Sequence, residues 1–417
     1  MNCRFRTPVL VLLGTLACVA VSACSQESDA IVLGVYKYQE NYFDEVLARC
    51  NAEATGRYTI EQHILPRDAD GQREQLVRRL AARDQTMDIV GLDVTWIAEF
   101  AEAGWILPWT GADSVAAVED MLPGPLATMT WQDTIFAVAA NTNVQLLWYR
   151  TDLVPEPPQT WDEMLVMADS LAAAGKPHVI AFTGAQYEGL VVGFNTLLES
   201  YGGSLLSEDG TESAVDESTV QALALLQRFA TSAGASPAVG NAHEAEAQAQ
   251  MENGYAAFQL NWPYVWAAMQ VNNPAMMDVF AFTHYPAVVP GRPARVTTGG
   301  LDYAVGAYSR YPELAREAIL CLRSRENQKF MTLNVGAPPT FGSLYDDPEL
   351  QAAYPMLDVI QDQLEHAVPR PRTPFYQNVS TVVSYVLSPL RQIEPEKTAR
   401  TLDERIQDAL ESRGLLP

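Results

Sequence analysis

The sequence predicts an α/β protein with two lobes. Strand-like apolar runs alternate with helical patterns, and a chain of 417 residues is too long for one small core. A third observation is the stretch 136–150, in which two short apolar runs flank the polar triplet 141–143. Short apolar runs bounded by turn residues are typical of buried strands. We interpret the stretch as a strand crossing between lobes, with Asn143 facing the gap; a buried loop whose Asn residues cap their own backbone is the alternative.

The first part of the chain alternates strands and helices. The predicted elements are a strand over 31–36, a helix over 41–51, a strand over 58–65, a helix over 71–83, a strand over 87–92 and a helix that ends near 101. This order predicts a parallel sheet with crossover helices. Ligands bind beyond the carboxyl ends of such strands, which draws attention to the turn 36–41 and to Asp93.

The second part is predicted to form another set of strands and helices. Helices are predicted over 161–174 (with Thr160 as N-cap), 189–201, 218–233 and 244–253, and strands over 178–182 and 256–261. Strands over 279–285 and 298–305 are expected to return the chain to the first lobe, before a helix over 312–323. We therefore assign 25–138 and 290–335 to lobe 1, and 139–289 and 336–417 to lobe 2.

The first 24 residues have the pattern of an export signal. Arg4 and Arg6 precede an apolar run over 9–21 that is too short to span a bilayer stably, and small residues follow before Cys24. A small-small-Cys ending resembles a bacterial lipoprotein signal, in which Cys24 is acylated. The alternative is an ordinary signal cut before an incidental cysteine. We expect an extracytoplasmic protein held on the membrane by its lipid alone.

Two cysteines remain in the exported chain, Cys50 and Cys321. Thiols in an exported protein tend to pair, so we expect a bridge between them; two separate buried thiols are the alternative. Such a bridge would place the start of the chain and the region near 320 in one lobe.

Charge and motif content limit the function. The formal net charge of −24 argues against nucleic acid and against an anionic membrane surface as partners. The five histidines show no metal-ligand spacing, and no nucleophile elbow, phosphate loop or paired-thiol motif occurs. We expect no metal, no cofactor and no catalytic residue; a glycosidase-like pair of carboxylates is the enzymatic alternative.

The side chains that remain suit a sugar. Trp262 and Tyr264 follow a predicted strand and offer flat apolar faces for a pyranose ring. Planar polar groups bind vicinal hydroxyls in pairs. The candidates for this role fall mostly at predicted strand ends or crossings, although each of them also fits a surface charge or a cap: Glu40, Gln72, Asp93, Asn143, Glu244 and Arg370.

Several motifs in order resemble a known family. They are the lipid-linked Cys24, Leu-Asp-Val-Thr-Trp at 92–96, Asn-Thr-Asn-Val-Gln-Leu-Leu-Trp-Tyr at 141–149, Asn-Trp-Pro-Tyr at 261–264 and Gly-Gly-Leu at 299–301, with further matches at 122–128, 188–192, 202–210 and 414–417. Together they resemble the carbohydrate-specific solute-binding lipoproteins of bacterial ABC importers, and most of all the mycobacterial trehalose-binding lipoproteins. The resemblance covers nearly all of the mature chain.

The resemblance implies a two-lobed periplasmic-binding-protein-like fold of type II. Three segments cross between lobes that close over the ligand, here trehalose. It also implies a monomer that delivers the sugar to the transmembrane permease subunits of an ABC importer. Cysteines of the family match Cys50 and Cys321. The implied ligand-binding residues are Asp93, Glu244, Gln72, Asn143, Trp262, Tyr264, Gly300, Leu301 and Arg370, with Glu40 as the acidic residue of the first loop.

Two loops depart from that family. The loop 36–41 is shorter and bulkier than its counterpart, and the loop between Pro263 and Phe282 is also shorter. Both are expected to border the ligand cleft. The differences in these two loops therefore bear most directly on which sugar the protein binds.

Overall fold

The structure, a computed structural model, describes residues 31–413. The strands are β1 (Val32–Tyr38), β2 (Thr59–Leu65), β3 (Ile89–Asp93), β4 (Thr130–Trp131), β5 (Thr134–Ile135), β6 (Val138–Asn143), β7 (Leu146–Arg150), β8 (Val179–Ala181), β9 (Ala256–Asn261), β10 (Phe280–Thr283) and β11 (Gly299–Val305). The helices are α1 (Phe43–Glu53), α2 (Ala69–Ala81), α3 (Ile97–Glu102), α4 (Gly111–Ala117), α5 (Pro123–Thr128), α6 (Trp161–Ala173), α7 (Glu188–Tyr201), α8 (Glu217–Thr231), α9 (Glu244–Glu252), α10 (Tyr264–Asn272), α11 (Pro312–Leu322), α12 (Arg325–Val335), α13 (Pro348–Ala353), α14 (Leu357–His366), α15 (Tyr376–Leu387) and α16 (Pro395–Leu410).

Two separate sheets organise the chain. The first has the strand order β2-β1-β3-β11-β6, and the second has the order β10-β7-β9-β8. In the first sheet β1, β2 and β3 are parallel, as predicted, whereas β11 runs antiparallel to both β3 and β6. A short hairpin of β4 and β5 stands apart from both sheets.

Each sheet has its own core. The first sheet is covered on both faces: Leu33 and Val35 of β1 belong to one apolar cluster, and Tyr36 belongs to another. This alternation follows from the two-residue period of a strand. A larger cluster surrounds the second sheet and includes Trp148, Phe258 and residues of α7, α8, α15 and α16. Because each sheet packs its own set of apolar side chains, the chain forms two lobes.

Local signals set several helix boundaries. Thr160 caps α6 as predicted, because its hydroxyl accepts a 3.1 Å hydrogen bond from the Glu163 amide. Asp68 caps α2 in the same way through the Gly71 amide. The predicted pairing of Cys50 and Cys321 is confirmed by a disulfide that joins α1 to α11.

Three local predictions differ from the structure. The polar triplet 141–143 does lie in a strand rather than in a loop, but this strand, β6, begins only at Val138 and stays paired with β11 as far as Asn143, beyond the predicted lobe boundary at 138. The strand predicted over 279–285 does not return to the first sheet, because β10 pairs with β7 in the second. Residues 264–272, interpreted as loop, form α10.

The chain crosses from the first sheet to the second after β6, returns to the first sheet after β10, and crosses again to the second lobe after α12.

The export signal and Cys24 lie outside the described residues. Within residues 31–413 no helix is both long and apolar enough to cross a bilayer. The same part of the chain contains no group of three or more His, Cys, Asp or Glu side chains arranged for a metal.

Candidate functional site

Three strand ends of the first sheet meet at one edge. Because β11 runs antiparallel to β3 and β6, its first residues lie beside the last residues of both. Leu301 is in register with Asp93 on one side and with Asn141 on the other, and Gly299 is in register with Asn143. The Asn141 side chain accepts a 3.1 Å hydrogen bond from the Leu301 amide, which holds the edge together. Sequence motifs that are far apart in the chain thus become neighbours.

Gly300 fits this edge because only glycine tolerates its backbone there. Its φ is 149°, and a Cβ at this position would lie 2.7 Å from the carbonyl oxygen of Asn141. Gly300 lies opposite Thr142, between Gly299, which is in register with Asn143, and Leu301, which is in register with Asp93. The structure therefore brings Gly300 and Leu301 to the same place as the predicted polar residues.

Arg370 reaches this edge from the other lobe. Its Nη2 donates a 3.0 Å hydrogen bond to Oδ1 of Asp93, and its Nη1 donates a 2.6 Å bond to Oε1 of Glu188, the first residue of α7. Burial alone would lower the pKa of Arg370, but the carboxylates of Asp93 and Glu188 outweigh burial and raise it. The guanidinium therefore stays charged and ties the two lobes together.

Trp262 connects the second sheet to the same edge. It follows β9, and its amide donates a 2.8 Å hydrogen bond to the side chain of Asn261. A Cβ built on Gly299 would lie 2.9 Å from Cη2 of Trp262 and 3.4 Å from Cβ of Asn143. The indole thus lies directly against β11 and beside Asn143, with part of its surface exposed.

Glu244 forms a second cluster within the other lobe. As the first residue of α9 it accepts a hydrogen bond from the phenol of Tyr187, and Tyr264 lies close enough to be affected by its charge. Burial first, and then the Glu244 carboxylate, raise the pKa of both phenols. Both tyrosines therefore remain hydrogen-bond donors at neutral pH. The Glu244 carboxylate can accept a hydrogen bond from a ligand hydroxyl, and a nearby phenol can donate one.

Asn143 supplies an acceptor without a partner. Its Oδ1 is buried and has no hydrogen bond to any described residue, and the same holds for Oγ1 of its neighbour Thr142. Buried polar atoms are nearly always paired in native proteins. The orientation predicted for Asn143, toward the gap between lobes, is consistent with this position.

Two predicted residues are engaged elsewhere. The carboxylate of Glu40 is paired with the ammonium of Lys37, which is completely buried and lies 3.9 Å from the ring of Phe43. Glu40 lines a cavity of about 20 Å³ on the α12 side of the sheet, together with Asn141 and Leu301. Its carboxylate is thereby committed to an ion pair.

Gln72 is buried in the first turn of α2, where its amide donates a 3.0 Å bond to the carbonyl of Arg67. No described contact joins it to the Asp93 cluster. The neighbouring Asp70 does reach across the lobes, because it accepts a 3.0 Å hydrogen bond from Gln377 in α15.

A cavity of about 400 Å³ lies beside this cluster rather than in it. It is lined by residues from 130–133, 204–210 and 369–372, and Arg370 alone among the predicted residues borders it. Its volume would admit a sugar, but none of the converging acceptors faces it. We therefore define the candidate site by the side chains that converge at the strand edge: Asp93, Asn143, Trp262, Gly299, Gly300, Leu301 and Arg370, with Glu244, Tyr187 and Tyr264 as a neighbouring group.

Sequence reasoning missed Glu188. It is 6% exposed and accepts hydrogen bonds from Arg370, Tyr376 and Ser380. The sequence does carry a signal for it, because a single carboxylate precedes an apolar first half of the helix, Glu-Gly-Leu-Val-Val-Gly-Phe. A buried charge in such a setting requires partners of opposite sign or several donors.

Comparison with known proteins settles the class. The sequence pattern of the bacterial extracellular solute-binding proteins matches residues 38–329. The chain belongs to this family. Membership confirms the interpretation as a binding protein rather than an enzyme, so the glycosidase alternative finds no support.

Relatives of this solute-binding protein agree with the assignment. A probable ABC transporter-binding protein of Deinococcus radiodurans is 29% identical over 368 residues, which is 85% of this chain and 86% of the relative. Maltose-bound MalE3 of T. maritima has a TM-score of 0.82 and 28% identity, covering 91% of this chain and 99% of the other. The GacH receptor of Streptomyces glaucescens has a TM-score of 0.80 at 17% identity, covering 92% and 100%. The predicted fold, a two-lobed periplasmic-binding-protein fold of type II, is confirmed.

Proposed function

We propose that this solute-binding protein is the extracytoplasmic receptor of an ABC sugar importer and binds trehalose, or a close α-linked disaccharide, between its lobes. The observation that carries the proposal is the meeting of Asp93, Asn143, Trp262 and Arg370, drawn from both lobes, around the bare backbone of Gly300.

The polar groups at this place match the hydroxyls of a sugar. Oδ2 of Asp93 and Oδ1 of Asn143 accept no hydrogen bond from any residue within 31–413, and the Asp93 side chain is 24% exposed. Carboxylate and amide oxygens bind sugar hydroxyls well, and a site built to bond a hydroxyl rejects an analogue that lacks it. The Glu244 carboxylate supplies a further acceptor, and the phenol of Tyr264 lies near it.

Trp262 provides the apolar part of recognition. A pyranose ring presents C–H groups on one face, and a partly exposed indole fixed against Gly299 offers a flat surface for them. Micromolar affinity, about 8 kcal/mol of binding free energy, suits a receptor that must also release its sugar.

Two sugars are the leading candidates. The motif resemblance to trehalose-binding lipoproteins favours trehalose. The similarity to MalE3, which is described in its maltose-bound form, favours maltose. Calorimetric titration of the mature protein with trehalose, maltose, sucrose and cellobiose separates them. We expect micromolar binding of trehalose; tight maltose binding with none for trehalose would replace the first candidate by the second, and no heat from any of the sugars would refute the proposal.

Delivery of the sugar completes the proposed role. We propose that Cys24 carries the lipid and that the chain is a monomer. We also propose that the two lobes close over the ligand before docking on the permease subunits; their predicted bounds are 25–138 with 290–335 and 139–289 with 336–417, except that 139–143 belong to the first sheet. Substitution Cys24→Ala should release the protein from the membrane fraction. Continued membrane association of that variant would exclude the lipid anchor.

A further inference from the structure

Glu188 is a buried carboxylate outside the proposed ligand set. It begins α7, where the helix dipole favours a negative charge, and only 6% of it is exposed. Its Oε1 accepts 2.6 Å and 2.7 Å hydrogen bonds from Arg370 and Tyr376, and its Oε2 accepts one from Ser380. All three neighbours are donors, so Glu188 acts as an acceptor on both oxygens. Burial raises the pKa of its carboxyl group, while these donors and the Arg370 charge favour the ionised form.

The guanidinium of Arg370 is shared between two carboxylates. Nη1 points to Glu188 and Nη2 to Asp93, and Nε is buried with no partner among the described residues. A guanidinium next to one carboxylate usually engages both of its oxygens through a two-pronged contact. In Arg370, by contrast, Nη1 binds Glu188 and Nη2 binds Asp93, so that each carboxylate receives one nitrogen.

Only one of the two carboxylate oxygens of Asp93 therefore has hydrogen-bond partners among the residues that the structure describes. Its Oδ1 accepts from the amide of Thr95 at 3.0 Å, from the hydroxyl of Thr95 at 2.8 Å and from Arg370 at 3.0 Å. Its Oδ2 accepts from no residue within the described part of the chain. One face of the carboxylate is thus fixed, and the other is available to a ligand.

We propose that Glu188 is a positioning residue for the sugar site: by holding Nη1 of Arg370, it limits Arg370 to one hydrogen bond with Asp93 and keeps Oδ2 of Asp93 open for a ligand hydroxyl. This inference rests on the proposed function. Through Arg370, Glu188 of α7 and its partners in α15 thus influence Asp93, a carboxylate of the first lobe. Glu188 itself does not touch the sugar.

Neutralising Glu188 changes the partner of Arg370. In Glu188→Gln the side chain keeps its length, but Asp93 becomes the only carboxylate next to the guanidinium. We expect Nη1 and Nη2 of Arg370 then to bind both oxygens of Asp93, so that the ligand hydroxyl must compete with Nη1 for Oδ2. Loss of one charge-assisted hydrogen bond corresponds to an affinity about tenfold to a hundredfold weaker.

The experiment compares Glu188→Gln with Glu199→Gln by calorimetry. Glu199 lies in the last turn of the same helix and faces Arg295 at 3.8 Å, away from the site. We expect the Glu188 variant to bind trehalose about tenfold to a hundredfold more weakly, and the Glu199 variant to bind like the wild type. Wild-type affinity in Glu188→Gln would overturn the inference.

Monodeoxytrehaloses provide a readout that a merely structural role would not move. The hydroxyl that contacts Asp93 should be identified by the analogue that the wild type binds much more weakly. Glu188→Gln should lose that discrimination selectively, since its Asp93 oxygen is already occupied. An equal weakening for trehalose and every analogue would show that Glu188 only maintains the fold, and would refute a positioning role.

If Glu188→Gln does not fold, Glu188→Asp takes its place. It keeps the negative charge but shortens the side chain by one methylene, which weakens the bond to Nη1 of Arg370 and lets this nitrogen reach Oδ2 of Asp93, so we expect about tenfold weaker binding with the same selective loss of discrimination. Unchanged discrimination would overturn the inference. If the wild type binds no sugar, the proposed function fails by itself. The positioning step is then judged from a ligand-free crystal structure of the variant, where an Arg370 that still bonds only Oδ1 of Asp93 would refute it.

Discussion

Asp93 and Arg370, separated by 277 positions in the chain, are joined by a 3.0 Å hydrogen bond between Oδ1 and Nη2. Asp93 ends a strand of the first sheet, and Arg370 lies in the segment that leads into α15, which packs in the core of the second lobe. The bond therefore exists only when both lobes have folded and met. A second contact of this kind joins Asp70 to Gln377 at 3.0 Å. The candidate site is a product of the junction rather than of either lobe.

Replacing Trp262 should remove sugar binding without unfolding the protein. Trp262→Ala deletes the indole that lies against Gly299 but leaves the sheets unchanged, so we expect at least a hundredfold loss of affinity by calorimetry, about 2.7 kcal/mol. Thermal unfolding should be nearly that of the wild type. Trp131→Ala, in the β4–β5 hairpin, is the matched control and should bind normally. Unchanged affinity in Trp262→Ala would place the aromatic surface elsewhere.

Neutralising Glu40 should destabilise the fold more than it affects the ligand. Glu40→Gln leaves the ammonium of Lys37 completely buried without its carboxylate, and breaking such a pair reduces the free energy of unfolding by about 3–5 kcal/mol. Denaturant unfolding measures the loss, and Gln39→Ala on the same loop serves as control. A stable variant with weaker sugar binding would show instead that Glu40 contacts the ligand.

Asp302 should make stability fall as pH rises. This residue of β11 is completely buried, and neither carboxylate oxygen has a partner among residues 31–413. Burial, and secondarily the charge of Asp93, raise the pKa of Asp302 well above its usual value. The folded state therefore holds this proton more tightly than the unfolded state, so the stabilisation is complete below about pH 4 and is lost as pH rises through the raised pKa.

Asp302→Asn should remove this pH dependence. Relative to the wild type, its free energy of unfolding should rise with pH, by about 1.4 kcal/mol for each unit by which the pKa is raised. Melting curves at intervals from pH 4 to pH 8 measure the difference, with the exposed Asp346→Asn as control. A difference between Asp302→Asn and wild type that does not vary with pH would contradict this account.

Removing the disulfide should lower stability and leave binding intact. Cys50 and Cys321 are 271 positions apart, and in the chain-entropy account a closed loop of this size stabilises by about 5.6 kcal/mol. The bridge joins α1 to α11 on one face of the first sheet. The double variant Cys50→Ser, Cys321→Ser should unfold at lower denaturant concentration yet bind sugar with wild-type affinity once folded. Equal stability, or a lost ligand, would argue against a purely structural bridge.

Local patterns predicted the elements that obey a simple period. The strand ending at Asp93, the cap at Thr160 and the strand before Trp262 all carry signals within a few residues, and the structure has each of them. The polar triplet 141–143 was correctly interpreted as strand rather than loop, but the end of that strand was misplaced, because no local signal shows where the chain leaves the first sheet. At a sheet edge that faces a gap between lobes, a strand can carry polar side chains to its end.

Apart from the disulfide, long-range side-chain partners could not be predicted from the sequence. Glu188 and Arg370 are 182 positions apart, and neither has a periodic or motif signal that names the other. The buried pair of Lys37 and Glu40 was missed for a different reason, since the sequence of a short loop does not reveal which way its carboxylate turns. Such pairings depend on how the lobes and layers pack.

A crystal structure of the mature protein with trehalose tests the central claim most directly. The account predicts one sugar at the edge formed by β3, β6 and β11, with hydroxyls on Oδ2 of Asp93 and Oδ1 of Asn143 and a pyranose face on Trp262. Trehalose bound instead in the cavity beside 204–210, or anywhere out of reach of Asp93, Asn143 and Trp262, would contradict it.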